Sequence, residues 1–81
     1  MKVTMRLFSI AKDLAGFDAR EIELPEGARA ADVFVVLNAV STSFEDWRPS
    51  LMLAVNREYV SSEHPLKNGD EVAVIPPVSG G

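Results

Sequence analysis

Apolar residues fall on every second position in several short, separate stretches of this sequence, and that spacing limits the fold more than any other feature. Val3, Met5 and Leu7 alternate with Lys2, Thr4, Arg6 and Phe8. A period of two sends alternate side chains to opposite faces of an extended chain, so this stretch predicts a strand with one buried face. Ile22 and Leu24 repeat the pattern within Arg20 to Leu24, ahead of a turn at Pro25-Glu26-Gly27. Leu51, Leu53 and Val55 alternate with Met52 and Ala54, and Val72 and Val74 alternate within Glu71 to Ile75. Asn56-Arg57-Glu58 predicts a turn into a short return strand at Tyr59-Val60. His64-Pro65-Leu66 leads to Asn68-Gly69, a strong turn signal before the last strand. Pro76 and Pro77 end that strand, because neither carries an N–H for a ladder hydrogen bond.

Between these strands lies helical sequence. Ser9 to Leu14 predicts a short helical turn stopped by Gly16. Ala30 to Val40 has no Gly or Pro and places Val33, Phe34, Leu37 and Val40 on one stripe. The β-branched Val33, Val35 and Val36 pull locally toward a strand. The length of eleven residues decides for a helix, with Asp32 suited to its first turn. Ser41 to Ser50 is expected to be a polar loop holding Pro49, with Trp47 as a cap over the core. The order is strand, strand, helix, strand, short strand, strand. That order predicts an α+β fold, a mixed sheet with one main helix packed on one face. It is the order of the β-grasp, or ubiquitin-like, architecture. At 81 residues there is room for one core, expected over residues 1–75, with 76–81 as an extended tail.

Charge and composition remove several classes of function. Eight basic residues stand against twelve acidic ones, a net charge of −4, and the basic residues are scattered rather than set in a stripe. Nucleic acid is therefore not an expected partner. With no cysteine there is no disulfide, no thiolate nucleophile and no zinc-finger site. No apolar run exceeds that of Val33 to Leu37, which is far too short to span a membrane. The opening MKVTMRL lacks the apolar core of a signal peptide, so the expected compartment is the cytoplasm.

The chemistry is expected in the last six residues, Pro76, Pro77, Val78, Ser79, Gly80 and Gly81. Two prolines stiffen the exit from the last strand, and six extended residues reach about 20 Å. Glycine has no side chain, so only a thin backbone has to pass a narrow slot. The tip is expected to move on the fast timescale in the free chain and to be ordered by a partner. A carboxylate is unreactive until activated; adenylation turns it into a mixed anhydride, which a sulfur nucleophile can convert into a thiocarboxylate. The chain has neither a P-loop nor a glycine-rich dinucleotide loop to do this itself. Phe8, Met52 and Ile75 all fall on the sheet face opposite the core residues of their strands, and together they suggest a docking patch. Arg6 and Arg57 offer charges to a partner's acids, although isolated surface arginines are the ordinary case. His64 before Pro65 reads as a turn residue rather than a base. Glu63, Asp70 and Glu71 read as a solvated turn rather than a metal cluster.

The stretch EHPLKNGDEVAVIPPVSGG, residues 63–81, resembles the C-terminal signature of the molybdopterin synthase small subunit family. LAVNREYV, residues 53–60, and VTMRLFSIAKDLAG, residues 3–16, are similar to other parts of the family pattern. The resemblance implies a sulfur carrier. An E1-like adenylating enzyme uses ATP on Gly81, a sulfur-relay protein supplies the sulfur, and Gly81 becomes a thiocarboxylate. The tail then enters the large synthase subunit, where sulfur passes to cyclic pyranopterin monophosphate. Two loaded carriers are needed for each dithiolene. The chain itself is expected to hold no cofactor, and the catalytic side chains belong to the large subunit. The Gly-Gly end alone is shared with sulfur carriers of thiazole synthesis and with ubiquitin-like modifiers joined to target lysines. A non-catalytic interaction domain is the remaining reading.

Overall fold

A computed structural model of the chain describes residues 1–77. Its strands are β1 (Lys2–Leu7), β2 (Ala19–Glu23), β3 (Met52–Val55), β4 (Glu58–Val60) and β5 (Glu71–Ile75). Its α-helices are α1 (Ile10–Ala15), α2 (Val33–Val40) and α3 (Ser43–Trp47). Short 3-10 turns at Ala30–Asp32 and Arg48–Ser50 lead into α2 and out of α3. The strands form one sheet in the order β2-β1-β5-β3-β4. β1 and β5 run parallel, and the other neighbours run antiparallel. This is the mixed β-grasp sheet that the element order predicts.

The alternating residues form the core. Val3, Met5, Leu7, Leu53, Val55, Val72 and Val74 are all buried on one sheet face. Ala11, Val33, Phe34 and Leu37 join them from α1 and α2. The parallel register of β1 and β5 is fixed by the turn that precedes β5. The Lys2 N–H donates to Asn68 Oδ1 at 2.8 Å, and the Gly69 N–H donates to the Lys2 carbonyl at 2.7 Å. Gly69 has φ of 90°, where a side chain would be strained. These contacts set Thr4 opposite Glu71 and Leu7 opposite Val74.

Three sequence expectations need correction. Ser41 to Ser50 is not a loop: α3 and a 3-10 turn occupy most of it. Phe44 is completely buried and anchors α3 to the core, whereas Trp47 is exposed and caps nothing. Val40 is also exposed, so the buried stripe of α2 ends at Leu37. α2 finishes at Val40, and Phe44 of α3 enters the core instead. The expected N-terminal role of Asp32 takes a definite form, since its Oδ2 accepts the Arg29 N–H at 2.7 Å. Among the described residues no helix is long and apolar enough to cross a membrane.

Candidate docking face and tail exit

The sheet face turned away from the helices follows from the same alternation. Register places Met52 opposite Ile75, and Ala54 opposite both Ala73 and Tyr59. Arg6 lies opposite Ala73 across the parallel pair. Phe8 continues β1 on this face, its N–H donating to the Val74 carbonyl at 3.3 Å. Phe8, Met52 and Tyr59 are 45%, 47% and 62% exposed. Ile75 and Pro76 are half-buried and Pro77 is exposed.

Phe8 and Ile75 share a shallow depression of about 410 Å³, also lined by Arg6, Ala54, Arg57, Tyr59, Glu71 and Ala73. Its floor exists because Ala54 and Ala73 stop at Cβ where larger neighbours rise around them. Met52 does not line it; on the far side of Ile75 it borders a larger hollow of about 660 Å³ toward Phe34, Arg48 and Ser62. There the Arg48 guanidinium lies 4.9 Å from the Phe34 ring centre. The smaller depression is the better candidate site, because β5 leads out beside it.

Two charged groups on this face hold each other. Arg6 Nε donates to Glu71 Oε2 at 2.9 Å, with both side chains partly exposed. The three carboxylates of the turn region each have their own partner. Glu63 pairs with Arg29 at 2.7 Å, Asp70 accepts from Asn56 Nδ2 and the Lys67 N–H, and Glu71 takes Arg6. His64 serves its turn through the backbone, its carbonyl accepting the Ala30 N–H at 2.8 Å.

Tyr59 is the large outer-face residue that sequence reasoning missed. The signal was there: carrying the alternation of Leu53 and Val55 through a two-residue turn sends Tyr59 outward. Val78, Ser79, Gly80 and Gly81, with the expected mobility of the tip, lie outside the described residues.

The model of the ThiS family matches residues 5–81. The chain belongs to the ThiS family. The molybdopterin synthase sulfur carrier subunit of Chlamydomonas reinhardtii is 34% identical over 83 aligned residues, covering 100% of each chain. A structure of the putative molybdopterin converting factor subunit 1 from Pyrococcus furiosus is 40% identical, with a TM-score of 0.83. That match covers 96% of this chain and 99% of the other. The complex of subunits 1 and 2 of the molybdopterin-converting factor from Helicobacter pylori contains a chain with the same fold. It has a TM-score of 0.72 at 24% identity, covering 100% of both chains. The ThiS-family match runs through the outer-face strands and the final glycines alike.

Proposed function

We propose that this chain is the sulfur carrier subunit of a molybdopterin synthase, working through the carboxyl group of Gly81. The observation that carries the reading is where β5 ends. Ile75, its last residue, lies in the apolar outer face beside Phe8 and opposite Met52, so the chain leaves the sheet next to an apolar patch that suits docking. Relatives matching the whole chain bear the name of this carrier and support the reading.

In the proposed cycle the Gly81 carboxylate attacks the α-phosphorus of ATP held by an E1-like enzyme, and pyrophosphate leaves. Hydrosulfide then attacks the acyl adenylate; where a relay protein's persulfide attacks instead, a second thiol must reduce the resulting acyl disulfide to release the thiocarboxylate. The C–S bond forms as the C–O bond to AMP breaks. The thiocarboxylate is delivered to the large synthase subunit and gives its sulfur to cyclic pyranopterin monophosphate. Water restores the carboxylate. Gly80 and Gly81 bear no side chain to crowd the attack, and Val78 and Ser79 complete the segment that passes into the partner. Residues 1–75 act as the handle and 76–81 as the arm, with Phe8, Met52, Ile75, Pro76 and Pro77 meeting the partner. The chain holds no cofactor of its own; ATP is spent by the activating enzyme, in the cytoplasm.

Intact-mass measurement tests this directly. The chain is incubated with its adenylating enzyme, ATP and a sulfide source. An oxygen-to-sulfur exchange on the last residue is expected, and deletion of Gly81 should abolish it. An unchanged mass for the full chain would overturn the reading, and an isopeptide remnant on other proteins would favour a protein modifier.

A further inference from the structure

The hairpin between β3 and β4 is closed by Val55 and Glu58, which leaves Asn56 and Arg57 as its two loop residues. Both have positive φ, 50° and 73°. This is the turn geometry that matches the twist of paired strands. Asn56 suits its position, since a short polar side chain tolerates the left-handed region. Its Oδ1 accepts the Glu71 N–H at 3.0 Å, its Nδ2 donates to Asp70 Oδ1 at 2.9 Å, and its own N–H donates to the Glu71 carbonyl at 2.8 Å. The second position favours glycine. An arginine there carries a Cβ in a strained conformation, so folding alone gives no reason for Arg57.

Its surroundings supply one. Arg57 lines the outer-face depression together with Phe8, Tyr59 and Ile75. Arg6, the other arginine of the depression, is held by Glu71. Arg57 has no ion-pair partner among the described residues. Two arginines against one glutamate leave the depression positive by one charge, on a chain whose net charge is −4. The three bonds of Asn56 fix the hairpin tip to β5, so the base of the Arg57 side chain is held at the lip.

We infer that Arg57 is a specificity-determining residue of the docking face. It receives an Asp or Glu carboxylate of the protein partner, set beside an apolar side chain of that partner that enters the depression. The guanidinium fork matches a carboxylate with two parallel hydrogen bonds. Phe8, Tyr59 and Ile75 shield the pair from water, and the prefixed backbone lowers the ordering cost. The inference rests on the docking reading above and adds the chemistry of the partner's contact.

The experiment uses the full chain, its Arg57→Gly and Arg57→Glu variants, and calorimetric titration with the adenylating enzyme and with the large synthase subunit. Arg57→Gly should melt at the same or a higher temperature, yet bind at least one partner about fivefold or more weakly. Arg57→Glu should bind that partner more weakly still. The gap between wild type and Arg57→Gly should narrow at high salt. A residue with only a structural role would lose binding and stability together. Equal binding of wild type and Arg57→Gly to both partners, or a lower melting temperature for Arg57→Gly, overturns the inference. If the wild-type chain binds neither partner, the docking reading itself fails.

Discussion

Met52 and Ile75 stand directly opposite each other on antiparallel β3 and β5, on the sheet face turned away from the helices. On separate strands each is a single outer-face apolar residue of no consequence. Register makes them neighbours, and it does the same for Phe8 and Ile75 across the depression. The face is therefore a product of the strand order, which places β5 between β1 and β3.

Leu7 and Phe8 are adjacent in sequence and opposite in role. Leu7 is 2% exposed in the core and Phe8 is 45% exposed. Leu7→Ala should cost about 2–5 kcal/mol of stability. Phe8→Ala should cost less than about 1 kcal/mol, yet weaken partner binding by about 1 kcal/mol or more. Urea denaturation and titration of the two variants separate the effects. Equal stability losses would mean that the strand's faces are reversed.

Phe44 ties α3 to the core with no exposed surface. Phe44→Ala should destabilise the fold by about 3–5 kcal/mol, much of the margin of a domain this small. Trp47→Ala, three residues on, should change stability far less. Thermal denaturation followed by circular dichroism makes the comparison, and similar midpoints for the two variants would contradict the assignment of the anchor.

Asn56→Ala removes two side-chain hydrogen bonds to the start of β5 and puts a residue without local bonding in the left-handed region. A loss of about 1–3 kcal/mol is expected. Hydrogen exchange should report it locally, with the Glu71 amide exchanging faster than in the wild type. An unaltered rate at Glu71 would show that this amide is protected by other means.

The depression depends on two alanines. Ala73→Leu should fill its floor while leaving the opposite, core face of β5 untouched. Partner affinity should fall about tenfold or more with little change in melting temperature, because the added side chain clashes only in the complex. Unchanged affinity would place the docking surface elsewhere.

Removing the Arg6 to Glu71 pair has a bounded effect. Both side chains are partly exposed, so Arg6→Ala should cost no more than about 1 kcal/mol. The difference should shrink in high salt. A larger, salt-independent loss would show that Arg6 supports the fold through packing rather than charge.

The strands were legible because Val3, Met5 and Leu7, and likewise Val72 and Val74, alternate with residues that tolerate water. The segment around Phe44 was not, because one buried aromatic among Ser41, Thr42, Ser43 and Glu45 leaves no period to count. A helix of five residues shows too few turns for a stripe. Val40 misled for a related reason: its angular position agrees with Leu37, but angle alone does not say where a helix stops covering the sheet. Phe8, Met52 and Ile75 could be placed on the outer face one strand at a time. The alanine floor and the Arg6 to Glu71 pairing needed the register between strands, which local sequence does not state.

Among the described residues the strand latest in sequence, β5, lies in the middle of the sheet, between β1 and β3. Until residues 71–75 emerge, β1 and β3 have no common neighbour, and Val72 and Val74 are missing from the core. Ala73 and Ile75 arrive with that strand, so the outer-face depression is completed in the same event that seals the interior. A polypeptide cut short before residue 71 therefore fails twice, by remaining open to proteases and by lacking the floor of the outer-face depression. Translation through residue 75 becomes a condition for presenting this face, enforced by the position of one strand.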